Sequence, residues 1–261
     1  MNYSDETIEE IKKQLSGLLI RHNDLFLRTV RFANQLKNDR AKEYALHGIS
    51  RRLNILRRCA LRIFELFPAN RVDKLIDDDR QDVTIYLHAF LINIFGILEN
   101  AALALAYEHD MFGSKSQGKL HFREVNLFNK RFQSLLNPKL RQYLVNEKIC
   151  KWYQDYAKNY RDALAHRIPP YIAPAALKKA DQERFKVLSE ELQGLTYEKN
   201  LERIDAIYSE QISLGSSNPL FVHSFSEKVQ PFYLHLQILA DYNTVEDMLL
   251  QIIDNFTNTS P

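Results

Sequence analysis

Residues 83–107 read VTIYLHAFLINIFGILENAALALAY, and this stretch decides the fold class. Glu99 is its only formal charge. The length would allow a membrane span, but His88, Glu99 and Asn100 would then lie where polar and ionisable groups are costly. A helix that is apolar on all sides is otherwise typical of a central helix enclosed by other helices. We therefore predict a buried central helix and no membrane span.

The composition of the whole chain favours a mainly α-helical protein. Of its 261 residues, 45% are hydrophobic and 26% are charged, which is close to the average of soluble globular proteins. Glycine is rare: the chain has seven glycines among its 261 residues, which is less than half of the average usage of about 7%. Because glycine is the default residue of tight turns, few such turns are expected, and long helices joined by few loops fit best.

Apolar periodicity and helix-breaking residues predict the order of the helices. The predicted helices cover about residues 4–37, 40–67, 82–109, 129–136, 139–146 and 147–166. Pro68 is expected to end the second helix, and Pro169 with Pro170 to stop the last. Residues 77–79 are expected to form an acidic loop before the third helix.

The composition changes beyond Pro174. A charged and periodic stretch predicts a solvated helix pair over 181–213. Residues 219–243 are expected to be extended or irregular, and residues 244–256 to form a short helix capped by Thr244. We therefore expect a helical bundle over residues 1–170 and, over residues 171–261, a helical and irregular C-terminal extension packed on it.

Charge and cysteine content indicate a cytoplasmic protein. The formal net charge is +2 and the sequence pI is about 8.4, below the value of about 9 that marks a dedicated nucleic-acid domain. Cys59 and Cys150 are the only cysteines, too few for a disulfide framework and in no metal-ligand spacing. Residues 1–10 lack the basic and apolar regions of a secretory signal.

Several common catalytic motifs are absent from the sequence. It contains no phosphate-binding glycine loop, no G-x-S-x-G, no H-E-x-x-H and no paired C-x-x-C. P-loop nucleotide hydrolysis, serine hydrolase chemistry and zinc catalysis therefore lose their usual support. His88, His109 and His121 could meet as metal ligands, but their spacing does not require it. We expect neither a metal nor a cofactor.

Residues 160–172, YRDALAHRIPPYI, carry the strongest candidate site. Arg161 and His166 stand five residues apart at the end of a predicted helix. Histidine can accept or donate a proton near neutral pH, and a guanidinium can stabilise the negative charge that develops on a phosphate during RNA cleavage. Alternatively, such a pair only compensates the helix dipole and caps the last carbonyls.

The RDALAHR segment closely resembles the R-x4-H motif of the HEPN superfamily, with Asp162 where members often carry a polar residue. The resemblance covers about residues 40–170, and residues 221–249 resemble bacterial proteins with the same RDALAHR segment. The resemblance to the HEPN superfamily implies a HEPN-like helical bundle and metal-independent endoribonuclease activity, with His166 as acid and base and Arg161 as the stabiliser of phosphate charge. It also implies a homodimer in which the two motifs face one another.

Helix geometry agrees with the need for a second chain. At 100° per residue, Arg161 and His166 lie about 140° apart on a straight helix. One chain alone would then not aim both groups at one phosphate. A distorted last turn before Pro169, or a partner chain that completes the site, would be required.

Glu99 is the predicted support of this motif. A buried carboxylate needs a partner, and the candidates are Arg161 and His88, which lies within about 20° of the same helix face. HEPN members often carry a polar or acidic residue on an inner helix that holds the motif in place, and Glu99 resembles it. The alternative is that the helix frays toward solvent at Glu99.

Three arginines form a candidate RNA-binding stripe. Arg51, Arg58 and Arg62 follow one another at spacings of seven and four, which places them on one face of the second predicted helix. Such a stripe could follow a phosphate backbone. The alternative is a solvated face paired with the acidic segment 73–79.

The resemblance also sets expectations about biological role and partners. A HEPN ribonuclease would be a toxin or defence component that acts on RNA, with an antitoxin or a nucleotidyltransferase as its partner. In one subgroup the toxin is silenced by nucleotide transfer to a tyrosine two residues after the histidine. Ile168 takes that position here and Tyr171 follows three residues later, which argues against this regulation. The alternative function is a non-catalytic helical dimer that binds RNA or a nucleotide, or that serves as a scaffold.

Overall fold

Helices form most of the chain in the computed structural model, which describes residues 3–224 and 231–256 apart from the side chain of Lys115. The predicted mainly α-helical bundle is confirmed. The first four helices are α1 (Asp5–Gln35), α2 (Asp39–Glu43), α3 (Ser50–Leu66) and α4 (Asp77–Glu108). A π-helical turn, Tyr44–Ile49, joins α2 to α3 without a break. Ser4 caps α1 by accepting a hydrogen bond from the backbone N–H of Thr7, and the predicted end of α3 before Pro68 is confirmed.

Helix α4 is the predicted central helix. It packs against α2, α3 and several later elements, and it is buried at most positions from Phe90 to Ala106. It begins at Asp77 rather than Asp82, so the prediction of an acidic loop at 77–79 is wrong: carboxylates in a first turn are stabilised by the helix dipole. Within the described ranges, α4 is the one helix long and apolar enough to span a membrane, and most of its apolar part is buried in the bundle.

Short helices lead from α4 to the candidate motif. They are α5 (Lys130–Ser134), α6 (Pro138–Leu144), α7 (Glu147–Lys151) and α8 (Lys158–His166). A second π-helical turn, Trp152–Ala157, joins α7 to α8. Asparagine side chains cap α5, α6 and α7 by accepting backbone hydrogen bonds, and α8 packs against α4.

The described residues of the C-terminal part form a small sheet and three helices. In chain order these are β1 (Tyr171–Ile172), α9 (Lys179–Gln193), α10 (Tyr197–Ser213), β2 (Leu220–Val222), β3 (Phe232–Tyr233) and α11 (Leu234–Asn255). The strands form an antiparallel sheet in the order β1, β2, β3. Tyr171 lies opposite Val222, and Phe221 lies opposite Phe232.

Helices α9 and α10 form a hairpin beside the main core. Two ion pairs connect them, Arg184 with Glu210 and Arg203 with Glu191, each at 2.6 Å. The apolar core cluster contains no residue between Ile172 and Phe221 among the described residues. At the base of the hairpin, Ala176 and Ser216 exchange two backbone hydrogen bonds of 2.9 and 3.0 Å.

Helix α11 corrects the sequence prediction for residues 234–243. This stretch is helical, and Thr244 lies inside α11, where its hydroxyl donates to the carbonyl of Ala240. The prediction failed because Phe232 and Tyr233, which are extended, adjoin a helix whose aromatic and β-branched residues are also typical of strands. The prediction for residues 225–230 lies outside the described residues.

Helices α1 and α11 pack along one another. His22 Nδ1 lies 2.7 Å from the hydroxyl of Tyr242, and the Phe32 and Phe256 rings meet edge to face. Arg21 donates to Glu246 at 2.9 Å. The buried apolar residues of α11 belong to the same core cluster as those of α1 and α4.

Candidate functional site

The end of α8, which carries the R-x4-H segment, is fixed by its neighbours. The helix ends at His166, and Pro169 and Pro170 cannot continue its hydrogen bonding. The Arg167 guanidinium donates to the backbone and side-chain oxygens of Asn159. His88 on α4 hydrogen-bonds the carbonyl of Pro170. The chain that follows α8 through the two prolines is therefore held in a defined path.

Arg161 is held against α4. Its guanidinium carbon lies 4.1 Å from the centroid of the Phe95 ring, within the range of a cation–π contact. Its Nη1 lies 3.2 Å from Oδ1 of Asp162. Its Nε is buried and has no hydrogen-bond acceptor among the described residues. Because buried donors are normally satisfied, packing alone does not explain this arginine fully.

His166 lies apart from Arg161. It is the last residue of α8 and is exposed, whereas Arg161 is half-buried on the side of α8 that faces Phe95. The α8 backbone is regular from Lys158 to His166. The distorted last turn that would bring both side chains together within one chain is therefore not found.

Glu99 lies near the motif, but it is not buried. The side chain is exposed on an unbroken helix that continues to Glu108, so the expectations of a buried carboxylate and of a frayed helix end are both wrong. The pKa of the nearby Tyr153 shows that Glu99 lies close to Arg161 and Asp162. Burial raises the pKa of Tyr153; the charge of Arg161 opposes this rise, and the charges of Glu99 and Asp162 add to it.

His88 is not the partner that sequence spacing suggested for Glu99. Its Nε2 is engaged with the Pro170 carbonyl instead. Asp162, the other supporting residue, pairs with Arg161 and lines a shallow groove of about 380 Å³ with Asp155, Lys158 and neighbouring amides. Arg161, Asp162 and Glu99 thus lie around Tyr153, while His166 stands outside this group.

The predicted arginine stripe lies on α3. Arg51 and Arg58 are exposed, and Arg62 is half-buried, pairs with Glu65 at 2.6 Å and lies 5.8 Å from the Tyr86 ring centroid. Two acidic side chains of segment 73–79 pair elsewhere: Asp79 with Arg71 and Asp77 with Arg80. The expected pairing between the stripe and that segment is therefore not found in the described residues.

Sequence reasoning missed Phe95 and Arg52. Phe95 supports Arg161 and also stacks on Tyr153, with ring centroids 5.9 Å apart. Arg52 donates from Nη1 to Oδ1 of Asn93 at 2.9 Å. A glycine inside an apolar helix often marks a close approach, and Gly96, which adjoins the Arg52 guanidinium, was the available signal.

No metal-binding group of three or more His, Cys, Asp or Glu side chains occurs within the part of the chain that the structure describes. Comparisons with protein-family models, with curated proteins and with solved structures find no match. The function is therefore inferred from the residues and their geometry.

Proposed function

We propose that the chain is a metal-independent endoribonuclease of HEPN type, with Arg161 and His166 as its catalytic residues. The observation that carries the proposal is an exposed His166 at the end of a helix whose Arg161 is fixed by Phe95 and Asp162. A fixed guanidinium can stabilise phosphate charge without reorganising. An exposed imidazole can reach a substrate proton near neutral pH.

The proposed reaction is attack of an RNA 2′-hydroxyl on the adjacent phosphorus. The bond from phosphorus to the 2′-oxygen forms as the bond to the 5′-oxygen breaks. A neutral His166 takes the hydroxyl proton, and a protonated His166 of the partner subunit supplies a proton to the leaving 5′-oxygen. Arg161 stabilises the charge on the non-bridging oxygens.

The proposal includes a homodimer, because the two groups lie about 140° apart on α8. The homodimer is supported by an exposed stripe on α4, which consists of Ile85, Ile92 and Glu99 at spacings of seven residues. The two isoleucines are 60% and 38% exposed, although α4 is buried at most positions from Phe90 to Ala106. RNA contacts by Arg51, Arg58 and Arg62, a cytoplasmic toxin or defence role, and an antitoxin or nucleotidyltransferase partner belong to the same proposal.

The test is cleavage of a labelled structured RNA in excess EDTA. We expect the wild type to cut, and His166→Ala and Arg161→Ala each to lose cleavage with unchanged helix content by circular dichroism. His121→Ala is the matched control, because His121 is exposed and distant in sequence from the motif, and it should cut normally. Equal cleavage by wild type and both motif variants would refute the assignment.

A second candidate is a non-catalytic helical dimer that binds RNA or a nucleotide, or acts as a scaffold. The cation–π contact and ion pair of Arg161 favour it, since both are packing contacts. It predicts that purified wild type cuts no RNA and that Arg161→Ala lowers the melting temperature markedly, while His166→Ala leaves it unchanged. RNA cleavage by the wild type that depends on His166 would exclude it.

A further inference from the structure

An open cavity of about 470 Å³ lies between the π-helical turn Tyr44–Ile49, α3 and α4. Its lining combines Arg51 and Arg52 with Tyr44, Ile55, Asn93 and Asn100. Its volume falls in the range of small-molecule sites, which are lined by apolar groups and a few placed polar ones. Neither Arg161 nor His166 lines it.

The backbone around this cavity uses unfavourable conformations and residues. π-helical turns are rare and occur frequently at functional sites. Gly48 and Gly96 are two of the seven glycines in the chain, and both lie inside helical segments, where glycine is less favourable than alanine. A Cβ at Gly48 would lie 2.5 Å from Asn100 Nδ2, and one at Gly96 would lie 2.4 Å from Arg52 Cζ. The two glycines therefore make room for two lining side chains.

The lining carries an excess of positive charge. It contains three arginines and one glutamate, and Arg40 and Glu43 pair with one another at 3.4 Å. Arg52 is oriented by its hydrogen bond to Asn93, and Arg51 Nη2 lies 3.3 Å from His47 Nδ1. Among the described residues, neither Arg51 nor Arg52 pairs with an acidic side chain, so their two positive charges are not neutralised at the cavity.

The remaining lining offers contacts for an organic group. Tyr44 stacks on Tyr107, with centroids 5.7 Å apart and planes at 13°, which fixes its ring at the edge of the cavity. Ile55 is 41% exposed. The Asn100 carboxamide has no hydrogen-bond partner among the described residues, so it can both donate to and accept from a ligand.

We propose that this cavity binds a small phosphomonoester, with its phosphate on Arg51 and Arg52 and its organic part against Tyr44, Ile55 and Asn100. The two unneutralised arginines match the charge of a phosphomonoester dianion. Guanidinium groups bind phosphate oxygens through charge-assisted and often bidentate hydrogen bonds. Binding does not require the proposed ribonuclease activity.

Calorimetric titration of the full chain tests the proposal with four probes: adenosine monophosphate, ribose 5-phosphate, inorganic phosphate and adenosine. We expect saturable binding of the two esters, weaker binding of inorganic phosphate and none of adenosine. Arg51→Ala should weaken ester binding at least tenfold, because Arg51 is exposed and its loss leaves the Arg52–Asn93 contact intact. Arg31→Ala, an exposed arginine on α1 outside the cavity lining, should bind as the wild type does.

Three outcomes would overturn the proposal. The first is no binding of either ester. The second is ester binding of equal strength in wild type and Arg51→Ala. The third is equally tight binding of inorganic phosphate, which would make the cavity a simple anion site. A 5′-phosphorylated tetraribonucleotide is added as a further probe, and binding of this probe without binding of the free esters would assign the cavity to RNA instead.

Discussion

Asp241 is a carboxylate without exposed surface that has only neutral hydrogen-bond donors around it. Trp152 Nε1 and Gln237 Nε2 donate to its Oδ1 at 2.9 and 2.7 Å, and the Tyr156 hydroxyl donates to its Oδ2 at 2.6 Å. Burial raises the pKa of Asp241 to about 7, although the three hydrogen bonds oppose the rise. This residue connects α11 to the π-helical turn before α8.

Asp241→Asn should change how stability depends on pH. An unfolded Asp titrates near pH 4, so the native state holds its proton to a higher pH than the unfolded state does. The stability from this protonation is complete below about pH 4 and is lost as the pH rises through about 7. Urea unfolding at pH 4.5 to 8 should therefore show the wild type losing stability relative to Asp241→Asn as the pH rises.

A matched control separates burial from charge removal in general. Asp205 is exposed on α10, so Asp205→Asn removes the same charge at the surface and should follow the wild type at every pH. Parallel pH curves for wild type and Asp241→Asn would show that the native carboxyl titrates near its ordinary pKa.

The α9–α10 hairpin is the element whose removal the fold should tolerate. Its buried residues Leu188, Ile204 and Ile207 lie outside the main core cluster. Deletion of residues 178–214 would leave positions 177 and 215 as a two-residue turn closed by the Ala176–Ser216 bonds, and Leu177→Asn would give the Asn-Gly sequence that such turns favour.

We expect this deletion variant to fold with a cooperative thermal transition close to that of the wild type, since the core around α4 keeps its residues. Circular dichroism melting is the measurement. A variant that is soluble only as an aggregate, or that melts without cooperativity, would show that the hairpin is part of the folding unit.

The two π-helical turns show what sequence periodicity does not reveal about an element. Both occur where one long helix was predicted, over about 40–67 and 147–166, and the helix bounds were otherwise close. A single wide turn shifts the buried face by a fraction of a turn, so apolar spacing still looks helical on both sides. Arg51 lines the cavity just after one of these turns, whereas its spacing in the sequence placed it only on a stripe.

Buried neutral histidines should make the molecule lose stability in acid, against the effect of Asp241. His235 has no exposed surface, and its Nε2 donates to the Phe67 carbonyl at 2.6 Å. Burial lowers the pKa of His235 to about 4, and burial also lowers the pKa of His22. Because each of these histidines binds a proton near pH 6.5 in the unfolded state, their contribution to stability should fall as the pH drops from about 6.5 toward 4, opposite in sign to the contribution of Asp241.

His235→Gln tests this account, since glutamine keeps a donor for the Phe67 carbonyl and does not titrate. We expect a lower urea midpoint at pH 7.5 but a smaller further drop between pH 6.5 and 4.5 than in the wild type. His121→Ala, which removes an exposed histidine, should keep the full drop. An unchanged drop in His235→Gln would assign acid unfolding to other groups.

At the scale of the molecule, the sequence predicted more of the fold than of the site. The apolar run 83–107 predicted the central helix because burial on all sides is visible in composition. The placement of α11 was not predictable from local pattern, since it depends on long-range contacts such as Arg21 with Glu246. The support of Arg161 by Phe95 and the exposure of Glu99 depend on how α8 lies on α4, which no local spacing encodes.

The pairing of α1 with α11 has a consequence for how the chain is made. His22 and Tyr242 are 220 residues apart, so at roughly 5–20 residues per second a ribosome needs about 10–40 s to deliver α11 after α1 has emerged. During that time the face of α1 that ends at Phe32 has no Phe256 to cover it. The bundle can therefore close along this face of α1 only after α11 has been synthesised.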